Sequence, residues 1–367
     1  MSKKVLAVFG TRPEAIKMCP VIAELKRRSG LQTIVCTTGQ HREMLEGVLE
    51  AFSVAPDIDL SLMQTKQSLA SLTSRILTAF EGVLDKEEPD AVLVHGDTTT
   101  TFAAALTAFY KKIPVGHVEA GLRTYDLNNP FPEEYNRQAV SLLASWHFAP
   151  TESAKKNLIK EGTPASSVFV TGNTAIDALK TTVRADFEHP ILSFARGSRL
   201  ILATAHRRES WGRPLAEIFR AIRRVADENE DVRIVLPLHA NPLVRKIAHE
   251  ELDASPHVLL TEPFDVLTFH NLLARCHLVL TDSGGIQEEA PFLGKPVLVL
   301  RKTTERPEGV SCGTLKLVGT DEQEVYLSFS ALLRDGCAYE SMAKAVNPYG
   351  DGQASKRIAD VLECKLL

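Results

Sequence analysis

Residues 91–120 read AVLVHGDTTTTFAAALTAFYKKIPVGHVEA, and this segment already indicates the class of fold. The apolar run 91–94 predicts a buried strand, and His95-Gly96-Asp97 follows it as a polar loop. Residues 101–110 have a helical pattern, and residues 114–118 predict a second strand. Short apolar strands that alternate with helices are typical of parallel sheets covered on both faces, so the sequence predicts an α/β protein.

The same alternation extends over the rest of the chain. It predicts strands at residues 5–9, 33–37, 200–203, 232–236, 257–260, 278–280 and 297–300, and helices at residues 15–28, 43–52, 175–189 and 357–366. The segments around Asp97 and Asp282 also form a weak internal repeat, because each aspartate follows a predicted strand and precedes a predicted helix. Two similar doubly wound halves are therefore expected, with a boundary between residues 171 and 199 and a ligand in the cleft between the strand ends.

Composition excludes several classes of function. The 367 residues carry 42 Lys and Arg against 46 Asp and Glu, a net charge of −4 that argues against a strongly basic nucleic-acid binder. No apolar run approaches the roughly 18 residues of a membrane span, and the N-terminal apolar run is too short for a signal peptide. The six cysteines include no Cys-x-x-Cys pair, so buried or incidental thiols in the reducing cytoplasm are expected.

Polar side chains follow four of the predicted strands, at the sheet edge where α/β proteins bind ligands. They stand in His95-Gly96-Asp97, His117-Val118-Glu119, Thr204-Ala205-His206 and Asp282-Ser283. One such group alone would be a capping or surface residue, but four at one topological place indicate a functional site. A metal at these His and acidic residues is disfavoured because no further motif completes a familiar spacing, and His95 and His117 are expected to be partly buried and hydrogen-bonded.

Three loops carry signals for anion binding. Ser283, Gly284 and Gly285 open a helix after a strand, where free backbone N–H groups suit a phosphate or diphosphate. Arg12, just after the first strand, and Arg306, in the second half, are candidate phosphate ligands, and Lys17 lies one helical turn beyond Arg12. None of these loops is a Gly-x-Gly-x-x-Gly or Walker motif, which argues against bound NAD.

Eight segments in order along nearly the whole chain resemble the bacterial non-hydrolysing UDP-N-acetylglucosamine 2-epimerase family. They are FGTRPE (9–14), TGQHR (38–42), HGDTTT (95–100), VEAGLR (118–123), PEEYNR (132–137), AHRRE (205–209), DSGGIQEE (282–289) and TERPE (304–308). The resemblance implies a GT-B-like fold of two Rossmann-like domains facing across a deep cleft. The expected domains are residues 1–172 with a returning C-terminal helix at 353–367, and a UDP-binding domain at 173–352.

The resemblance also implies an activity: reversible conversion of UDP-GlcNAc to UDP-ManNAc without NAD or a required metal, by a homodimer that supplies ManNAc for cell-surface polysaccharide. The implied route is elimination of UDP to a bound 2-acetamidoglucal, followed by re-addition. It needs carboxylates beside the sugar ring and cationic or N–H donors around the diphosphate.

The resemblance also implies roles for individual residues at the positions that match the family. Asp97, Glu119 and Glu133 match the family's catalytic carboxylates, with the face of C2 that each serves left open, and His206 matches a residue near the diphosphate. Positions around the substrate are matched by Arg12, Lys17, Arg137, Phe269, Ser283, Gly284, Gly285, Glu289 and Arg306, with Glu289 expected at the ribose and Phe269 at the uracil. A second, allosteric UDP-GlcNAc site is matched by Gln40, His41 and His239, with Glu43 and Lys66 where some members carry Gln and Arg.

Four other functions stay open at this point. A 2-epimerase of a modified UDP-sugar, such as a 2,3-diacetamido sugar, would differ only in its pocket for the C3 substituent. A GT-B glycosyltransferase would share the UDP site, and a hydrolysing relative would release free ManNAc. A UDP-sugar sensor is disfavoured because it has no need for the three carboxylates.

Overall fold

The computed structural model describes residues 2–39, 42–62 and 67–367, leaving out the side chains of residues 42–44. It divides the chain into two compact units. Unit 1 is Met1–Thr181 with Tyr349–Leu367, and unit 2 is the continuous segment Thr182–Pro348.

Unit 1 is built on a sheet in which every pairing of strands is parallel. Its strands are β1 (Lys3–Phe9), β2 (Leu31–Thr37), β3 (Ile58–Asp59), β4 (Ala91–His95), β5 (Val115–Val118), β6 (Trp146–Ala149) and β7 (Val168–Val170). Its helices are α1 (Arg12–Leu25), α2 (Arg42–Ala51), α3 (Leu69–Glu87), α4 (Thr99–Tyr110), α5 (Glu133–Leu143), α6 (Glu152–Lys160), α7 (Thr174–Thr182) and, from the end of the chain, α16 (Ala354–Leu366). The strand order is β3-β2-β1-β4-β5-β6-β7.

Unit 2 repeats this plan with six parallel strands. They are β8 (Arg199–Thr204), β9 (Val232–Pro237), β10 (Val258–Thr261), β11 (Leu278–Thr281), β12 (Val297–Val299) and β13 (Leu315–Leu317). The helices are α8 (Pro190–Phe194), α9 (Arg213–Glu228), α10 (Pro242–Leu252), α11 (Val266–Arg275), α12 (Gly284–Phe292), α13 (Pro307–Ser311), α14 (Glu322–Arg334) and α15 (Gly336–Ala343). The strand order is β10-β9-β8-β11-β12-β13.

The two sheets share one topology, which explains the weak internal repeat in the sequence. In each, the first strand lies third and is flanked by the second and fourth strands of that unit, so the order reverses between β1 and β4 and between β8 and β11. Such a switch point leaves a crevice at the carboxyl ends of the strands, where open α/β sheets bind ligands. Asp97 follows β4 and Asp282 follows β11, so both aspartates stand at equivalent switch points.

Helix α7 and the C-terminal segment from Tyr349 both belong to unit 1. The reason is a set of contacts across the return: the Asp177 carboxylate accepts the N–H groups of Ala354 and Ser355 at 3.2 and 2.8 Å, and Asn173 N–H donates to the carbonyl of Tyr349 at 2.8 Å. These bonds cap α16 and bind it to α7.

Two sequence-based assignments need correction. The predicted helix at 175–189 ends at Thr182, because the N–H of Arg184 donates to Asn271 Oδ1 at 2.8 Å and Pro190 disfavours a helical residue before it. Strands β3, β6, β7 and β13 were not predicted; each has two to four residues, and His147 and Lys316 interrupt the apolar runs of β6 and β13.

Three further expectations concern the cysteines, membrane-spanning helices and metal sites. All six cysteines are free, as expected; Cys19, Cys36 and Cys276 are buried, which raises the pKa of each to about 12. Within the described residues, no helix is long and apolar enough to cross a membrane. The same residues contain no group of three or more His, Cys, Asp or Glu arranged to hold a metal ion.

Candidate active site

Asp97 and Glu119 stand at the ends of two neighbouring strands of unit 1. Strands β4 and β5 pair in parallel with His95 beside Val118, and Gly96 N–H donates to the carbonyl of Val118 at 2.9 Å. Each carboxylate follows its strand by one or two residues, so the register brings both to the same edge of the sheet.

The Glu119 backbone is in a conformation that residues other than glycine rarely adopt. Its φ is +63°, in the left-handed region, at a cost of about 1–2 kcal/mol for an L-residue. Its side chain is only 10% exposed, is ion-paired with Lys17 of α1, and accepts a hydrogen bond from Asn173 Nδ2 at 3.1 Å. Strain of this kind persists where surrounding contacts fix it, and it is concentrated at functional sites.

Asp97 is held by helix α5. Arg137 forms an ion pair with its carboxylate, and Asn136 Nδ2 donates to its backbone carbonyl at 2.9 Å. Glu133 is half-buried at the first position of the same helix, and it makes no hydrogen bond or ion pair with Asp97 or Glu119 within the described part of the chain. The structure therefore brings Asp97 and Arg137 into contact, and it leaves the role of Glu133 a prediction.

The loop before α5 is organised by a fully buried carboxylate. Glu134 accepts the N–H groups of Thr124 and Tyr125 at 3.0 Å each, and it lies 3.4 Å from Arg137 Nη1. Burial of a carboxylate is tolerated when it is hydrogen-bonded and paired in this way. Glu134 thus ties the loop to the arginine that holds Asp97.

Arg12 opens α1 beside a second buried carboxylate. Thr11 caps the helix, and Glu14 accepts the N–H groups of Gly10 and Thr11 at 3.0 and 2.7 Å, completing a capping box. The other oxygen of Glu14 accepts from Thr98 Oγ1 at 2.7 Å, and burial raises the pKa of this carboxyl. Glu14 therefore links the loop of Arg12 to the loop that follows Asp97.

The two histidines of these strands differ from their expected state. Both are fully buried rather than partly buried. His117 Nε2 bonds to the carbonyl of Gly96 at 2.7 Å, whereas neither nitrogen of His95 has a hydrogen-bond partner, and His95 Nε2 lies 3.7 Å from Glu119. Burial lowers the pKa of His95 to about 4 and that of His117 to about 3, so both rings are neutral at pH 7.

In unit 2 the corresponding switch point carries Asp282 and His206. Asp282 is 1% exposed, and its Oδ2 accepts the N–H groups of His206 and Arg207 at 2.6 and 2.8 Å. The His206 ring is 37% exposed and stacks on His239, with ring centroids 5.3 Å apart and 6° between the planes. The loop after β8 is thus fixed to the end of β11, and the ring of His206 is open to solvent on its other side.

Helix α12 begins at the predicted anion loop. Ser283 makes no side-chain cap to the helix, so the first N–H groups of α12 are left for a ligand. A Cβ on Gly284 would stand 3.1 Å from the guanidinium carbon of Arg306, so a larger residue there would push Arg306 away from the helix start by a few tenths of an ångström. Gly285, by contrast, has open space around it apart from a Glu289 oxygen at 3.9 Å.

Buried carboxylates hold Arg306 in this place. Its Nε donates to Glu288 at 2.9 Å, and its Nη1 lies 3.1 Å from Glu305. Burial alone would raise the pKa of Glu305, but Arg306 and Arg301 together lower it to about 2. The site therefore has fixed cationic and N–H donors, as binding of a diphosphate requires.

Glu289 and Phe269 lie on α12 and α11 of the same unit. Glu289 is 8% exposed, and its carboxylate lies 3.7 Å from His270 Nε2, whose Nδ1 is bonded to Thr182 Oγ1 at 2.7 Å. Phe269 is partly buried and packs against the apolar core of unit 2. The structure leaves the ribose and uracil roles of these residues as predictions.

The predicted second site is described only in part. Gln40, His41 and Lys66, and the side chain of Glu43, lie outside the described residues. His239 is described: its Nδ1 accepts the N–H of Asn241 at 3.1 Å, and burial, followed by the charge of His206, lowers its pKa.

Three residues at these loops were missed by sequence reasoning. Asn136 and Asn173 each contact a candidate catalytic residue, and Glu288 holds Arg306. Asn173 does follow a strand end, β7, and this signal could have found it. Asn136 and Glu288 lie inside quoted motifs but carried no signal of their own.

Comparison with known proteins shows the family of the chain. The family model described as UDP-N-acetylglucosamine 2-epimerase matches residues 23–363. The UDP-N-acetylglucosamine 2-epimerase of Bacillus subtilis (strain 168) is 56% identical over 359 residues, which cover 98% of this chain and 94% of that protein. The chain belongs to this family.

Solved structures extend the likeness to the fold. The UDP-GlcNAc 2-epimerase of Neisseria meningitidis bound to UDP-GlcNAc is 51% identical, covers 98% of this chain and 99% of its own, and has a TM-score of 0.91. The S. aureus MnaA–UDP co-structure is 49% identical, covers 100% and 98%, and has a TM-score of 0.93. The predicted GT-B-like class with two Rossmann-like domains is confirmed, and this family member is an isomerase.

Proposed function

We propose that the chain interconverts UDP-GlcNAc and UDP-ManNAc by elimination and re-addition of UDP. The observation that supports this most directly is the pair of carboxylates at the ends of β4 and β5. Glu119 is held by Lys17 and Asn173, and Asp97 by Arg137. Such fixed carboxylates suit removal and return of a proton at carbon, a task that a UDP-sugar sensor does not have.

The proposed steps balance in atoms and electrons. One carboxylate takes the proton from C2, the C–H electrons form the C1=C2 bond, and the C1–O bond breaks so that UDP leaves. In the re-addition step a UDP oxygen attacks C1 while the double bond takes a proton at C2 on the other face. No electron is gained or lost overall, so the reaction needs no hydride carrier, and we propose that no NAD or metal takes part.

We assign the two chemical tasks to different residues. The diphosphate carries the charge that develops as it leaves, so it belongs with Arg306 and the first N–H groups of α12. His206 is assigned to the leaving oxygen. The carboxylates and Arg137 in unit 1 are assigned to the sugar ring, and Glu289 to the ribose hydroxyls.

A test is proton NMR of UDP-GlcNAc with the purified protein in D2O, without added NAD or metal. We expect UDP-ManNAc to form, with deuterium entering C2 of both sugars. Free ManNAc with UDP would place the protein in the hydrolysing class instead. No reaction by a folded protein that binds UDP would refute the proposed substrate, and a UDP-2,3-diacetamido sugar would be tried next.

We also propose that the enzyme works as a homodimer in the cytoplasm and supplies ManNAc for polysaccharide. Apolar side chains on two neighbouring helices support self-association: Tyr110 on α4 is 69% exposed, and Tyr135 and Leu142 on α5 are 50% and 84% exposed. Light scattering should give twice the chain mass for the wild type and a lower mass for Leu142→Glu. A monomeric wild type would contradict the proposed dimer.

A further inference from the structure

We propose that Asp282 is a positioning residue that fixes the tautomer of His206. The inference deepens the function proposed above and rests on it for the role of His206 beside the leaving diphosphate. The geometry is contained within unit 2, in the loops that follow β8 and β11.

The two oxygens of Asp282 are in different situations. Oδ2 accepts two backbone N–H groups, those of His206 and Arg207, which fixes the loop after β8. Oδ1 is buried and makes no hydrogen bond, yet it lies 3.3 Å from Nδ1 of His206. A buried carboxylate oxygen without a donor is costly, by about 1–3 kcal/mol, so a small rotation of the ring that brings Nδ1–H into line with Oδ1 is favoured.

The rest of the surroundings restrict the ring to this orientation. His239 stacks on one face, nearly parallel, and Trp211 Nε1 donates to the backbone carbonyl of His206 at 3.0 Å. The charged side chain of Arg207, the next residue in the loop, lies 3.8 Å from Glu305. With its backbone bonded, one face stacked and Nδ1 beside Oδ1 of Asp282, His206 has Nε2 left for a ligand.

This arrangement determines what His206 can do. A histidine whose Nδ1–H is donated to a carboxylate has its Nε2 free as acceptor in the neutral form and as donor in the protonated form. His206 can then donate from Nε2 to the oxygen of UDP as the C1–O bond breaks and accept that proton back on re-addition.

The variant Asp282→Asn tests the pairing. Its amide oxygen still accepts the two backbone N–H groups, while its NH2 group faces Nδ1 and can only donate. The neutral ring must then move its proton to Nε2. In protein labelled with 15N at histidine, we expect the shift typical of a protonated nitrogen to belong to Nδ1 of His206 in the wild type and to Nε2 in the variant. The His206 signals are identified as those missing from the spectrum of His206→Asn.

Kinetics gives a second readout. We expect kcat of Asp282→Asn to fall by about 10²–10⁴-fold, with KM for UDP-GlcNAc and the affinity for UDP changed by less than about threefold. Adding Asp282→Asn to His206→Asn should lower kcat no further, because the two residues act as a unit. The control Asp227→Asn changes an aspartate whose carboxylate accepts from Ser255 at 2.5 Å, and it should keep both the wild-type tautomer and kcat.

The outcomes separate the inference from the function on which it rests. An unchanged His206 tautomer in folded Asp282→Asn overturns the pairing, and so does a kcat loss that adds fully to that of His206→Asn. If the wild type fails to epimerise UDP-GlcNAc, the proposed function fails, while the 15N shifts still decide whether Asp282 and His206 are paired.

Discussion

Replacing Lys17 with methionine removes the ammonium group that pairs with Glu119 while keeping most of the side-chain volume. Lys17 and Glu119 are 12% and 10% exposed, so the change leaves a carboxylate that water hardly reaches. Breaking a buried pair from one side costs about 3–5 kcal/mol. Asn173 still donates to Glu119, so we expect a loss of about 3 kcal/mol in the free energy of unfolding.

The assay is a double-mutant cycle followed by urea denaturation at pH 7. Glu119→Gln removes the carboxylate that pairs with Lys17 and should cost about 2–3 kcal/mol, whereas the double variant removes both charges of the pair and should cost only about 1–2 kcal/mol. The coupling energy is then about 3–5 kcal/mol in magnitude. If the costs of the single variants add to within about 0.5 kcal/mol, Lys17 and Glu119 are not energetically paired and this reasoning is wrong.

Three other changes test the division of tasks and the buried histidines. Asp97→Asn should lower the rate of deuterium exchange at C2 by more than about 10²-fold and leave UDP affinity, measured by calorimetry, within about threefold. Arg306→Gln should weaken UDP binding by about 10–100-fold, and equal affinity would contradict its role. His147 is buried and its pKa is lowered to about 4, so the unfolded chain binds more protons and stability falls as pH drops from 6.5 toward 4. His147→Phe should reduce that slope by about 1.4 kcal/mol per pH unit, as measured by urea midpoints between pH 7 and 4.5.

The sequence was sufficient to place the long strands and both switch points. Residues 91–95 and 278–281 are apolar runs followed by a polar loop and a helix, and this local pattern is what forms a buried parallel strand with a ligand-binding end. Trp146–Ala149 has the same length as 278–281 but was missed because His147 interrupts its apolar run.

The partners of the site residues were beyond a sequence argument. Asn173 lies 54 positions from Glu119, and Asp282 lies 76 positions from His206. Neither contact produces a recognisable spacing in the sequence, because each contact depends on how the strands are ordered in the sheet. The left-handed backbone at Glu119 was equally unpredictable, because glycine, which marks that conformation in sequence, is absent there.

The split of unit 1 between Met1–Thr181 and Tyr349–Leu367 has a consequence for synthesis on the ribosome. Unit 2 is continuous and can fold as soon as it has emerged. The segment that carries α16 is translated only after unit 2, so the caps that Asp177 provides to α16 form last. The nascent chain therefore carries the seven-stranded sheet of unit 1 without helix α16 throughout the translation of Thr182–Pro348, and the two segments of unit 1 meet only after unit 2 is made.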